Sequence, residues 1–252
     1  MIKKLKDIMM NVEIVGNGKP ILLLHGLGLD HSIWMPMAQM YQDQAQFILP
    51  DLRGHGQTET GNANGTIEQF AEDVAMLMSA LKLEKVVLGG HSMGGYIALA
   101  FAEKYPDLLS GLAMITSNAQ VDPPDKKAVR LADADAVLSQ GSEVVARSLA
   151  PRLSNDQGIV QTMKALIMRT DAVGLSNVQK AIANRPARLN LLSELACPVL
   201  AVAGKDDKIS TLEFSREMAE KAREGHFVAI PAAGHMPMLE AARTLGALLV
   251  AL

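Results

Sequence analysis

The chain has 252 residues, of which 49% are hydrophobic and 20% are charged, and its formal net charge is −3. This composition is typical of a folded globular protein and excludes an intrinsically disordered chain. The slightly acidic net charge does not indicate the basic surface that nucleic-acid-binding proteins usually carry. Cys197 is the only cysteine, which excludes an intrachain disulfide and a cysteine-ligated metal site.

No stretch of the sequence approaches the ~18 consecutive apolar residues that a membrane span needs. The N-terminus carries Lys3, Lys4 and Lys6, but Asn11 and Glu13 follow before an apolar signal-peptide core develops. We therefore expect a cytoplasmic protein that binds neither membranes nor nucleic acid.

Strand-like and helix-like patterns alternate over the first 120 residues. Short apolar runs predict strands at 11–15, 20–24, 46–49, 86–90 and 112–116. Thr66 and Gln69 form a capping-box pattern, and apolar residues at helical spacing continue that helix to 81. A second helix follows the strand at 86–90 and stops at Pro106. Regular alternation predicts an α/β fold with a mostly parallel, doubly wound sheet.

Residues 121–195 interrupt this alternation. They carry helical patterns near 130–138, 144–149, 159–168 and 178–183, with no convincing strand. Alternation resumes with a strand at 198–203, a helix at 212–223, a strand at 227–231 and a final helix at 239–252. We predict a core formed by 1–120 and 196–252, and an α-helical lid at 121–195 over the carboxyl edge of the sheet, where ligands bind in open α/β sheets.

The sequence Gly90-His91-Ser92-Met93-Gly94-Gly95 lies where a predicted strand meets a predicted helix. A serine in such a sharp turn takes a strained backbone and presents its hydroxyl above the sheet, ready to attack a carbonyl. Gly90 and Gly94 avoid a Cβ that would clash across the turn. The alternatives are a phosphate-binding loop and an ordinary turn, but the apolar strand and helix on either side favour a nucleophile.

A serine hydroxyl needs a general base, and that base needs an orienting acid. Among six histidines, His235 follows the last predicted strand, at the edge where site residues belong. His91 adjoins Ser92 and is predicted to be structural, because the turn should direct its side chain away from the hydroxyl. Asp206 and Asp207 follow the strand at 198–203, and on local grounds either can orient His235.

The oxyanion of a tetrahedral intermediate needs preorganised N–H donors. One predicted donor is the backbone N–H of Met93, at the start of its helix. The second is the N–H of Leu27, in a glycine-rich loop that follows the strand at 20–24. Glycines on both sides of Leu27 let this backbone approach a substrate closely.

These motifs together resemble the α/β-hydrolase family over nearly the whole chain. The resemblance rests on five motifs in family order: His25-Gly26-Leu27-Gly28, Asp51-Leu52-Arg53-Gly54-His55-Gly56, the serine motif at 90–95, Gly204-Lys205-Asp206-Asp207, and Gly234-His235-Met236-Pro237-Met238-Leu239-Glu240. In that family the acid usually sits three residues after the glycine, which implies a triad of Ser92, Asp207 and His235. The order serine, acid, histidine is also that of the family.

The resemblance further implies that Asp51, Arg53 and His55 build a structural turn. Residues 25–34 and 183–186 are similar to those of small lidded esterases and oxoadipate enol-lactonases. Two prolines common in such relatives are absent, at 209–211 and 241–243, and both changes affect loops rather than the triad.

The implied function is a serine hydrolase that cleaves small carboxylic esters, thioesters or lactones through an acyl-enzyme, with no metal or organic cofactor. The alternatives are C–C bond hydrolysis, perhydrolysis or acyl transfer on the same triad, and a ligand receptor with little turnover. Dehalogenase and epoxide-hydrolase chemistry is disfavoured because those relatives usually carry aspartate where this chain has Ser92.

Residues beside the catalytic loops are candidates for the substrate pocket. We expect Trp34, Met236 and Met238, together with Met93, to form its walls, with core packing as the alternative for each. Four arginines of the predicted lid are candidates for gripping the carboxylate of an acidic lactone, with solvated surface charges as the alternative: Arg130, Arg147, Arg152 and Arg169.

Overall fold

A computed structural model describes residues 1–62 and 65–252. Its strands are β1 (Ile2–Lys4), β2 (Met9–Val15), β3 (Lys19–Leu24), β4 (Ala45–Pro50), β5 (Val86–His91), β6 (Leu109–Ile115), β7 (Val199–Gly204) and β8 (Gly225–Ile230). They form one sheet in the order β1-β2-β4-β3-β5-β6-β7-β8. β2 pairs antiparallel with β1 and β4, and the other neighbours pair in parallel. The predicted mostly parallel sheet is confirmed.

Helices connect and cover these strands. They are α1 (Met35–Met40), α2 (Ile67–Ala80), α3 (Met93–Lys104), α4 (Pro124–Gln140), α5 (Glu143–Leu153), α6 (Gln157–Arg169), α7 (Ala172–Asn184), α8 (Leu212–Lys221), α9 (Pro237–Glu240) and α10 (Ala242–Ala251), with 3₁₀ turns at His31–Trp34, Pro106–Leu108 and Asn190–Ser193. α1 packs against α10, α2 against α3, and α8 against β7 and β8. Within the described residues, no helix combines the length and apolarity of a membrane span.

The core lies along the central strands. Every residue of β5 and of β7 is buried, as expected for strands covered on both faces. α2 begins where the capping pattern places it, because the Thr66 side chain accepts a hydrogen bond from the Gln69 N–H at 3.3 Å. Its buried face carries Phe70, Val74 and Leu77 at helical spacing. Periodicity and one cap thus account for this helix.

Helices α4 to α7 lie in sequence between β6 and β7, and we call residues 124–184 the helical insertion. α4 packs against α7 and α5 against α6. Asp156 and Asp171 cap α6 and α7 by accepting hydrogen bonds from Ile159 N and Gly174 N. Residues 121–195, all of them described, contain no strand.

Three elements differ from the sequence prediction. β1 was not predicted, because a three-residue strand with two lysines carries too little apolar alternation. α1 was also missed; it is a six-residue helix that follows directly on the turn at Trp34. The single helix predicted at 239–252 is two helices, because the backbone leaves helical geometry at Ala241 with φ −143° and ψ 42°.

Candidate active site

Ser92 occupies the sharp turn between β5 and α3. Its φ of 51° and ψ of −113° form a strained conformation for a residue with a side chain. A Cβ on Gly90 would collide with the Gly94 carbonyl, and a Cβ on Gly94 would collide with the Leu24 carbonyl at the end of β3. The glycines therefore permit both the turn itself and the close approach of α3 to the loop after β3.

His235 and Asp207 lie together beyond the ends of β8 and β7. His235 Nδ1 donates to Asp207 Oδ2 at 2.8 Å, and both side chains are buried. The other carboxylate oxygen of Asp207 accepts from the N–H groups of Ile209 at 2.7 Å and Ser210 at 3.1 Å. A proton on Nδ1 leaves Nε2 of a neutral ring as an acceptor. Asp206 is exposed, so the structure brings Asp207, and not Asp206, to His235.

His91 braces the main chain of His235. Its Nε2 donates to the His235 carbonyl at 2.9 Å, and Thr116 Oγ1 donates to the same carbonyl at 3.1 Å. The two histidine rings lie 4.9 Å apart between centroids. Burial holds the pKa of His91 well below its ordinary value, so this ring is neutral at physiological pH. Its packing agrees with the structural role that the sequence predicts.

The two predicted oxyanion donors belong to adjoining segments. Met93 is the first residue of α3, where N–H groups have no partner within the helix. Leu27 lies in the turn after β3. In this turn the Leu29 N–H donates a hydrogen bond to the Gly26 carbonyl at 3.2 Å. Gly28 takes a positive φ of 70° there, and Thr170 of the helical insertion donates to its carbonyl at 3.1 Å. The insertion thus supports the Leu27 loop.

Ser92, His235, Leu27 and Met93 line one cavity of about 90 Å³. Trp34, Met236 and Met238 are wholly buried in the core and do not line this cavity. The Trp34 ring lies edge-on behind His91, at 6.3 Å between centroids.

The wall of the cavity that belongs to the helical insertion is cationic. Lys126, Arg130 and Arg152 line it, and no aspartate or glutamate of the described residues does. Arg147 is exposed and lies elsewhere, and Arg169 lines a different pocket. The sequence predicted two of these three cations, Arg130 and Arg152, but gave no sign of Lys126, because helical periodicity does not reveal which exposed side chain faces a cavity.

Asp51 organises the turn after β4. Its carboxylate accepts from the N–H and Nδ1 of His31 at 2.8 and 2.7 Å, from Asn11 Nδ2 at 3.0 Å and from Gln57 N at 2.9 Å. Burial alone would raise the pKa of Asp51, but these donors hold it well below its ordinary value. Asp30, His31 and Asp51 bring potential metal ligands within 4.8 Å of one another. The Asp51 oxygens are already fully engaged, so the cluster is better explained as a hydrogen-bonded turn.

The pairing of His31 with Asp51 predicts a pH-dependent contribution to stability. The hydrogen bond to Asp51 raises the folded-state pKa of His31 above its ordinary value. This stabilisation is therefore complete below the unfolded pKa of about 6.5 and is lost as the pH rises through the higher folded pKa. We expect the unfolding free energy of the wild type to be higher than that of His31→Asn. The difference should be largest at about pH 5.5 and smaller at about pH 8.5. Urea unfolding of both proteins measures it; a difference that grows with pH would contradict the assignment.

Arg53 is buried between two carboxylates. Its Nε and Nη2 donate to Asp73 at 2.8 and 2.7 Å, and its Nη1 and Nη2 donate to Asp7 at 2.9 and 3.0 Å. The Arg53 guanidinium lowers the pKa of Asp7 to about 2. His55 is also buried, and burial lowers its pKa to about 3. These contacts link the turn to α2 and to the N-terminal strands, which is a structural role.

A comparison with protein-family models matches residues 19–242 to the alpha/beta hydrolase fold. The chain belongs to the α/β-hydrolase family. This confirms the family that the five sequence motifs predicted. The matched segment includes the turn at Ser92, the Asp207 loop and the His235 loop.

Relatives of this family member are similar over almost the full length. It is 27% identical over 230 residues to an (E)-2-((N-methylformamido)methylene)succinate hydrolase of Acinetobacter baylyi, covering 90% of this chain and 87% of the relative. It is 28% identical over 239 residues to 3-oxoadipate enol-lactonase 1 of the same organism, covering 92% and 88%. A thermophilic esterase from Thermogutta terrifontis, solved with malate bound, superposes with a TM-score of 0.92 at 35% identity, covering 96% and 91%. All three are hydrolases, and hydrolase activity is what these similarities support for this α/β-hydrolase.

Proposed function

We propose that this α/β-hydrolase is a serine hydrolase of small carboxylic esters, thioesters or lactones. The observation that carries the proposal is the 2.8 Å hydrogen bond from His235 to Asp207, together with the cavity that His235 and Ser92 both line. A histidine whose Nδ1–H donates a hydrogen bond to a buried carboxylate has Nε2 free to take a proton from a serine hydroxyl.

In the proposed mechanism, His235 Nε2 removes the Ser92 proton as Oγ attacks the substrate carbonyl. The N–H groups of Leu27 and Met93 stabilise the oxyanion of the tetrahedral intermediate. His235 then donates its proton to the departing oxygen or sulfur, which leaves an acyl group on Ser92. A water molecule activated by His235 cleaves this ester, and the acid product leaves.

We further propose that the helical insertion acts as a lid that favours substrates with a second, free carboxylate. Asp122 Oδ2 accepts from Arg130 at 2.7 Å and Asp122 Oδ1 accepts from Arg185 at 3.0 Å, so one carboxylate faces two guanidinium groups. Arg152 has no ion pair among the described residues. The excess positive charge in a protein of net charge −3 supports selection of an anionic substrate. The malate bound to the similar esterase agrees with this preference, and so does the substituted succinate named as the substrate of the Acinetobacter baylyi hydrolase.

Adduct mapping tests the proposed nucleophile. The wild type is incubated with a fluorophosphonate, digested and examined by mass spectrometry, while release of p-nitrophenol from acetate and butyrate esters is followed in parallel. We expect ester turnover and one stoichiometric adduct on Ser92. Labelling without turnover would favour a specialised substrate or a receptor, whereas neither labelling nor turnover would overturn the proposed nucleophile.

Replacing Arg152 by alanine tests the preference for acidic substrates. We expect KM for a monoester of a dicarboxylic acid to rise about 3- to 10-fold, because a charge-assisted contact is lost, although the exposure of Arg152 weakens it. KM for a neutral ester of the same length should change less than about twofold. Steady-state kinetics with both substrates provide the measurement.

Arg147→Ala is the matched control, since Arg147 lies on the same helix, is exposed and does not line the cavity. We expect it to leave both KM values near those of the wild type. If KM changed equally in Arg147→Ala and Arg152→Ala, the loss of one positive charge from the protein would explain the change. That result would argue against a specific contact between Arg152 and the substrate carboxylate.

A further inference from the structure

The main chain of the loop that carries His235 is hydrogen-bonded to the helical insertion. The His235 N–H donates to the Leu153 carbonyl, the last residue of α5, at 3.1 Å. Leu149, Arg152 and Leu153 of the same helix line the cavity. The end of α5 therefore contacts both the space for a substrate and the backbone of the proposed base.

Glu240 holds the residues on both sides of His235. Its Oε2 accepts from the N–H of Gly234 at 2.7 Å and from the N–H of Met236 at 3.1 Å. Its Oε1 accepts from the Ser154 hydroxyl at 2.5 Å, and Ser154 follows α5 directly. Hydrogen bonds to a charged acceptor are the stronger kind. One carboxylate thus joins the His235 loop to the end of α5.

Among residues 1–62 and 65–252, these three groups are the hydrogen-bond donors to the Glu240 carboxylate. In the described part of the chain, no lysine, arginine or histidine lies within ion-pair distance of it. The side chain also sits within the turn of α9, whose Leu239 and Glu240 N–H groups donate to the Met236 carbonyl at 2.9 Å. The carboxylate is therefore a hydrogen-bond acceptor for a loop rather than half of a salt bridge.

We infer that Glu240 is a positioning residue that sets where the His235 imidazole stands relative to Asp207 and Ser92, and that Ser154 ties this position to the helical insertion. The functional part of this inference rests on the proposed triad. Without the carboxylate, the N–H groups of Gly234 and Met236 lose their acceptor and the loop gains conformational freedom. A displacement of a catalytic group by about 1 Å can lower a rate by about a hundredfold, even when the substrate site itself is unchanged.

Two substitutions at the same position separate hydrogen bonding from charge. Glu240→Ala removes every acceptor, and we expect kcat to fall about 10- to 100-fold while KM changes less than about twofold. Glu240→Gln keeps one oxygen for both N–H groups, and its amide can donate to the Ser154 hydroxyl. We expect this variant to retain kcat within about threefold of the wild type. Ser154→Ala, which leaves both loop N–H bonds in place, should have an effect between these two.

Asp156→Ala is the control for a general loss of stability. Asp156 caps α6 two residues beyond Ser154 and does not contact the His235 loop through its side chain. We expect it to lower the Tm without lowering kcat. A Glu240→Ala variant that keeps the wild-type kcat, or a Glu240→Gln variant that loses as much as Glu240→Ala, would overturn the inference.

A second readout separates this inference from the proposed function. The proton between His235 and Asp207 should give a far-downfield NMR resonance in the wild type and Glu240→Gln, and a broadened or absent one in Glu240→Ala. If the wild type hydrolyses no ester but Glu240→Ala still loses the resonance, positioning by Glu240 stands and the proposed reaction fails. If the wild type is active and Glu240→Ala keeps both the resonance and kcat, the proposed reaction stands and positioning by Glu240 is refuted.

Discussion

Ser92→Ala is expected to lower kcat for a p-nitrophenyl ester by about a million-fold, the loss typical of removing the nucleophile of a serine triad. The reason is that in the proposed triad His235 and Asp207 act only through the serine hydroxyl, so their hydrogen bond would contribute little once that hydroxyl is absent. Residual hydrolysis above the rate in water would come from the N–H groups of Leu27 and Met93 and from binding alone. Initial rates of p-nitrophenol release at high enzyme concentration measure the loss.

Ser139→Ala is a suitable control, because Ser139 is exposed on α4 and does not line the cavity. It should keep the full wild-type rate and the fluorophosphonate adduct. A Ser92→Ala variant that retained more than about a hundredth of the wild-type kcat would be incompatible with an acyl-enzyme on this residue.

Arg53→Met is expected to lower the free energy of unfolding by about 3–5 kcal/mol. The substitution leaves Asp73, of which 1% is exposed, as a buried carboxylate without its bidentate partner. Asp7 loses two hydrogen bonds as well, but its partial exposure lets water replace them. Urea unfolding followed by circular dichroism gives the change in midpoint at constant slope.

Lys104→Met provides the comparison, since it breaks an ion pair of similar length between two exposed side chains. Lys104 Nζ lies 2.6 Å from Glu72 Oε1, and about half of each side chain is exposed. Such pairs contribute little to stability because water screens them. Equal losses of unfolding free energy in the two variants would show that burial does not decide the effect at Arg53.

Lowering the pH should reduce the loss of unfolding free energy in Arg53→Met, because a protonated Asp73 carries no charge that needs a cation beside it.

The local features of the candidate site were predictable from short stretches of sequence. The strained turn at Ser92 requires glycine where a Cβ would strike a backbone carbonyl, and that requirement is visible as Gly90 and Gly94. Apolar runs predicted seven of the eight described strands. The capping pattern at Thr66 predicted the start of α2. The five motifs and their order predicted the family that the family model confirms.

The pocket walls were not predictable in the same way. Trp34, Met236 and Met238 adjoin catalytic loops in sequence, yet each is wholly buried in the core. Neighbouring side chains leave a loop in different directions, so sequence adjacency does not tell whether a residue faces a cavity or the interior. Lys126, in contrast, lies in a helix with no motif, and only the packing of the insertion brings it to the cavity.

What the sequence by itself determined is most of the strands and helices, the family and the chemical types of the candidate catalytic groups, because periodicity, caps and glycine requirements act over a few residues. The tertiary structure decided which groups meet. It brings Asp207 to His235 across 28 positions and Ser154 to Glu240 across 86, while Asp206 faces solvent. Such contacts depend on how the whole sheet and the helical insertion close around one another, and burying polar groups there is favourable only when each finds its partner.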